Sequence, residues 1–259
     1  MRWRSGCKAR RRSRGWKGGR EPVVKAEKLR RARTRHQGPY RAKRDGGAEN
    51  WQYCPLCGIE GAMTSTTRTV YFITHPDVLM DPAVPVPEWP LSPRGRDRMV
   101  QALACPWASG LGVVWCSTER KARDGAEILA GPLGLPIMEL DKLGENDRSA
   151  TGYLPKQEFE AVANLFFAHP GESIRGWERA ADAQRRIVGA VQEVLTASAG
   201  YAGDVAIVAH GGVGTLLLCH FRGDVIGRQH DQPPNNGGNY FAFDAATRRL
   251  HHGWHAIEA

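Results

Sequence analysis

From about residue 68 onward the apolar positions alternate between two patterns. Short unbroken runs, rich in β-branched and aromatic residues, read as buried strands over Thr69–Thr74, Gly112–Cys116, Leu135–Leu140 and Asp204–Ala209. Longer segments between them carry helix signals. Ser92-Pro93 has the chemistry of an N-cap followed by proline in the first turn, opening a helix to about Cys105. Ser117 or Thr118 is placed to cap a second helix from Glu119 to about Ala130, stopped by Gly131-Pro132. Helices are also predicted over Lys156–Ala168, Ile174–Thr196 and Gly212–Phe221, and Glu172-Ser173 reads as a cap for the middle one. Asn239–Asp244 and Arg249–Trp254 form a closing pair of strands. Such alternation predicts an α/β layer fold, a mixed sheet with helices on both faces.

Two of the strand-like runs end on histidine. The first is Thr69-Val-Tyr-Phe-Ile-Thr-His75-Pro-Asp77, and the second, 135 positions on, is Asp204-Val-Ala-Ile-Val-Ala-His210-Gly-Gly212. In open α/β sheets ligands bind outside the carboxyl ends of the strands, so both imidazoles can meet in one crevice. A pair of this kind suits phosphoryl transfer, one ring attacking phosphorus and the other stabilising the group in flight. The competing reading is a metal held by His75 and His210, for which Asp77 is the local carboxylate. His251, His252 and His255 read as surface or packing residues.

Charge divides the chain unevenly. Residues 1–62 hold 18 of the 36 Lys and Arg against five acids, a net +13, whereas residues 63–259 carry 18 basic and 22 acidic residues, a net −4. The first segment has few apolar residues and is expected to be a disordered basic extension. Met63 is followed closely by the first credible strand and is the expected true start, residues 1–62 then being translated upstream sequence that adds no working part. A nucleic-acid role is expected only through residues 1–62. Cys54-Pro-Leu-Cys57 is half of a zinc-knuckle pattern without a second cysteine pair at ribbon spacing. Six cysteines in a chain this long, with no signal-peptide apolar region and no membrane-length run, point to a reducing cytoplasm.

The series strand–His75, Leu91-Ser-Pro-Arg-Gly95, Cys116-Ser-Thr-Glu-Arg-Lys-Ala-Arg-Asp-Gly-Ala-Glu127, Leu143-Gly-Glu145, Gly171-Glu-Ser173 and Val208-Ala-His210-Gly-Gly212 resembles the histidine phosphatase superfamily, which includes cofactor-dependent phosphoglycerate mutases. The resemblance implies a three-layer α/β/α sandwich with a mostly parallel central sheet over residues 63–259. It also implies a site that needs no cofactor or metal. His75 matches the histidine that becomes phosphorylated, His210 the one that donates to the transferring group, and Glu145 the general acid. Glu139, Asp141 and Asp147 lie in the same acidic stretch as competitors for that last role. Gly211 and Gly212 would let backbone approach the phosphate, and the helix N-terminus after them would offer amide donors.

Two departures from the family pattern fall on the phosphate. Where the family has Arg-His-Gly, this chain reads Thr74-His75-Pro76, exchanging a guanidinium for one hydroxyl. At a second arginine position it has Lys121, which keeps charge but loses the bidentate fork. Arg120 and Arg123 flank Lys121 but leave the helix on other faces. The implied function is a metal-independent phosphomonoesterase acting on a small phosphorylated substrate, with turnover weakened by these two departures. The alternatives are a phosphate-ligand binding protein on the same fold and a mutase-type phosphotransferase.

Overall fold

A computed structural model describes residues 68–258, and the basic segment, the Cys54/Cys57 pair and the proposed start at Met63 lie outside the described residues. Six strands, β1 (Thr69–Thr74), β2 (Leu111–Cys116), β3 (Ile137–Glu139), β4 (Asp204–Ala209), β5 (Asn239–Asp244) and β6 (Leu250–Ala256), form one sheet in the order β3-β2-β4-β1-β5-β6. The first four run parallel, and β5 pairs antiparallel with both β1 and β6. Five α-helices cover the faces: α1 (Pro93–Gln101), α2 (Arg120–Ala130), α3 (Lys156–Ala168), α4 (Ala180–Ala197) and α5 (Gly211–Arg222).

The sheet is apolar on both sides because both sides are covered. Phe72, Val113, Ile207 and Phe241 pack with Ile187, Val191 and Val194 of α4 and Val213 and Leu217 of α5. On the other face Ile73, Val114, Cys116 and Val208 meet Met99 of α1 and Ala122, Ala126 and Leu129 of α2. A third cluster joins Val162, Phe166 and Phe167 of α3 to Trp177 and Leu216. The layers are therefore helix, sheet and helix, as the alternation predicts.

Several boundaries differ from the expectation, each for a local reason. The helix opened by Ser92, whose Oγ accepts from the Gly95 amide at 3.0 Å, tightens into a 3-10 turn at Ala102–Ala104 and stops before Pro106. Neither Ser117 nor Thr118 is the cap residue of α2. That position is Glu119, and Ser117 Oγ instead accepts from the Glu119 amide at 3.1 Å. The expected helix at Ile174 begins at Ala180. Arg175 and Gly176 adopt left-handed conformations (φ 52° and 82°) that no α-helix can contain. Ser173 does not cap with its side chain; its hydroxyl donates to the Trp177 carbonyl at 2.7 Å. The loop is anchored by the buried Trp177 indole, which donates to Thr151 Oγ1 at 2.8 Å.

Register places the chemistry. Thr74 of β1 lies opposite Ala209 of β4, and Cys116 of β2 opposite Val208. The next residues, His75, His210 and Ser117, leave the sheet side by side at its carboxyl edge.

Candidate active site

The two imidazoles lie 5.2 Å apart, centroid to centroid, with planes at 68°. His75 Nδ1 is 2.9 Å from the Pro76 carbonyl. A carbonyl only accepts, so Nδ1 carries the proton and Nε2 keeps its lone pair. Burial, reinforced by the positive charge of Lys121, lowers the His75 pKa to about 4. At neutral pH this ring is a neutral imidazole whose Nε2 keeps an unshared lone pair.

His210 is fully buried, and Nε2 faces Ser117 Oγ at 2.7 Å and Glu119 Oε1 at 3.3 Å. Burial holds its pKa well below the ordinary histidine value, against the opposing pull of Glu119. The Glu119 carboxyl is held far below the usual carboxylate range: burial alone would raise it, but His210 and Lys121 outweigh that effect. An ionised Glu119 favours Nε2–H on His210, leaving Nδ1 buried and without a protein partner. A buried, orphaned imidazole nitrogen beside the His75 ring is a group waiting for an external partner.

Glu145 is fixed by backbone. Its Oε2 accepts from the Gly212 amide and its Oε1 from Val213, both at 3.0 Å, and Oε1 also from Asn146 at 3.1 Å. The N-terminus of α5 is therefore occupied by the protein's own carboxylate, not left open as the sequence suggests. The glycines serve that approach. A Cβ on Gly212 would sit 2.7 Å from Glu145 Oε1, and one on Gly211 would sit 2.2 Å from Gln232 Nε2.

A cavity of about 540 Å³ opens in front of these groups, lined by His75, Glu145, Gly211, Gly212 and Gln232 and walled by Phe159, Phe166 and Trp177. A shallower concavity at the opposite edge of the sheet, beside Tyr71, Trp107 and Tyr240, contains none of them.

Two residues expected to touch phosphate are engaged elsewhere. Thr74 is fully buried behind His75. Its hydroxyl donates to Gln232 Oε1 at 2.8 Å and accepts from the Asn239 amide at 3.1 Å, so it ties β1 to β5 and does not line the cavity. Lys121 is buried close to the imidazoles, but its ammonium is bound by Glu119 and by the Val86 carbonyl at 3.0 Å. Glu139, Asp141 and Asp147, the other candidates for the acid, do not line the cavity, whereas Glu145 does. Among the described residues no cluster of three or more His, Cys, Asp or Glu forms a metal site, and Asp77 is bound by Arg98 at 2.5 Å.

Ser117 and Glu119 were hidden from sequence reading because both resemble helix-capping residues. The available signal was position, directly after the buried strand end at Cys116. Gln232 and Arg148, which also line the cavity, sit in loops without a motif.

The family model for the histidine phosphatase superfamily (branch 1) matches residues 84–250, well over half of the chain. The chain belongs to the histidine phosphatase superfamily. The match starts after His75, beyond the Thr-His-Pro segment that departs from the family pattern. Comparison with curated protein sequences finds no match. Among solved structures, Bacillus stearothermophilus YhfR superposes with a TM-score of 0.58 at 22% identity, covering 71% of this chain and 94% of that one. A mycobacterial glucosyl-3-phosphoglycerate phosphatase in complex with inorganic phosphate gives 0.59 at 19%, covering 74% and 99%. The alpha-ribazole phosphatase from Shigella flexneri gives 0.53 at 16%, covering 74% and 96%. These likenesses show that the chain shares their fold. No helix among the described residues is long and apolar enough to cross a membrane.

Proposed function

We propose that this protein hydrolyses a small phosphoric monoester through a phosphohistidine on His75. The observation that carries the reading is the His75 ring itself, locked by the Pro76 carbonyl with Nε2 free beside His210 at the head of the cavity. As the phosphate dianion arrives, the Glu145 carboxylate takes up a proton from solvent. In the first step the Nε2 lone pair attacks phosphorus, the bond to the ester oxygen breaks, and the leaving oxygen takes that proton from Glu145. In the second step a water attacks phosphorus and gives its proton to the Glu145 carboxylate. The P–N bond breaks, returning neutral His75 and inorganic phosphate. His210, protonated as the anion arrives and neutralised by Glu119, donates from Nδ1 to a phosphoryl oxygen. Family membership fits phosphatase and mutase alike, and the phosphatases among the structural neighbours support the phosphatase.

A specific observation favours the second reading, a phosphate-binding protein. Glu119 neutralises Lys121, and Thr74 puts no donor into the cavity. Turnover of phenyl phosphate by the full chain, with His75→Ala and His210→Ala beside it and chelator present, separates the two. Chelator-resistant turnover lost in His75→Ala supports the hydrolase. Phosphate binding without turnover supports the binding protein.

A further inference from the structure

The cavity keeps a cation that its sequence motif does not announce. Arg148, three residues after Glu145, is partly buried on the cavity wall. Its guanidinium carbon lies 5.2 Å from the Phe159 ring centroid and 5.7 Å from that of Trp177. Stacking of this kind holds a long side chain in place while leaving N–H donors for an acceptor. The carboxylates of the surrounding segments are already matched. Glu158 pairs with Arg175, Glu160 with Arg228 at 2.9 Å, and Glu178 with Arg186 at 2.7 Å. Among the described residues the Arg148 guanidinium has no ion-pair partner, in contrast to Lys121 and to Arg228 in the same cavity. Its charge reaches both imidazoles, lowering the pKa of each. The other cavity cation without a carboxylate partner, Lys156, is an exposed lysine at the start of α3.

We propose that Arg148 binds an anionic oxygen of the substrate in this cavity, supplying the guanidinium that Thr74 does not. The inference rests on the phosphomonoester reading of the same site. The oxygen belongs either to the phosphoryl group or to a carboxylate on the leaving group, and both call on the same fork of donors.

Calorimetric titration of the full chain tests this without requiring turnover. The probes are inorganic phosphate, phenyl phosphate and phosphoglycolate, and the variants are Arg148→Met, which keeps contact with the rings, and Arg148→Lys. Lys142→Ala, a surface residue paired with Glu193, is the control. Unchanged melting temperatures verify that each variant folds. If Arg148 holds the phosphoryl group, Arg148→Met weakens all three ligands by roughly 10- to 100-fold, with Arg148→Lys in between. If it holds a leaving-group carboxylate, only phosphoglycolate weakens. Wild-type affinity for all three probes in Arg148→Met overturns the proposal, as does failure of the wild type to bind any of them. Arg148-dependent binding in a protein that never turns over leaves the proposal standing and removes the hydrolase reading.

Discussion

At the scale of the residue, the site depends on which nitrogen carries a proton. The Pro76 carbonyl fixes the tautomer of His75, and burial with the Lys121 charge keeps the ring neutral down to about pH 4. An unperturbed histidine would lose its nucleophilic form near pH 6.5. Once the substrate's own ionisation at about pH 6 is divided out, the acid limb of kcat/KM for phenyl phosphate is expected near pH 4, and a residual limb near 6.5 would contradict the environment described. Lys121→Met removes one of the charges that depress His75, so the same limb should move upward in pH. A second prediction concerns Glu119, which does not line the cavity and acts through His210 as a positioning residue. Glu119→Gln keeps the shape but removes the charge that supports an imidazolium. The expected outcome is a kcat loss of roughly 10-fold or more with KM changed less, measured by steady-state kinetics. A purely structural Glu119 would instead lower the melting temperature and spare kcat.

At the scale of the element, the fold was legible where one rule acted alone. β1, β4, β5 and α3 fall at their expected residues because each is an uninterrupted apolar or amphipathic run between clear breakers. The start of α4 was not legible. The left-handed pair Arg175-Gly176 and the extended backbone at Trp177 and Arg179 keep the chain out of helix until Ala180. His75, His210 and Glu145 could be read because they abut strand ends or a motif. Thr74 was read as a phosphate contact, a role its hydroxyl cannot fill while it bridges β1 and β5. The α5 N-terminus shows the same limit. Its glycines suggest an open anion site, yet the anion it binds here is Glu145. That contact is a helix cap made by a remote carboxylate, and losing such a cap costs about 1 kcal/mol. Glu145→Ala should accordingly lower stability by about 1 kcal/mol in urea titration as well as abolish turnover. Gly212→Ala should reproduce part of both effects, because its Cβ displaces the same carboxylate.

At the scale of the molecule, one buried arginine joins the segments that frame the cavity. Arg98 on α1 donates to Asp77 at 2.5 Å, to the Asn235 carbonyl at 2.9 Å and to the Gly237 carbonyl at 2.8 Å, and pairs with Glu258. It links the residues after His75, the loop before β5 and the carboxyl-terminal end of the described chain. Its side chain is 7% exposed, so water cannot replace it. Removing one partner of a buried ion pair leaves the other charge desolvated and costs about 3–5 kcal/mol. Arg98→Ala should thus destabilise the protein by about 3 kcal/mol or more in denaturant titration, since two carbonyls and two carboxylates lose their donor together. Arg98→Lys keeps the charge, but one ammonium with three donors cannot serve all four acceptors, so it should recover only part of the loss. The loop that Arg98 holds contributes Asn236 and Gly237 to the cavity, and the Gly238 amide donates to the His75 carbonyl at 3.3 Å. A loosened loop should therefore raise KM for phenyl phosphate in Arg98→Lys while the acid limb near pH 4 stays in place, because the Pro76 carbonyl that sets the His75 tautomer is not among the acceptors of Arg98.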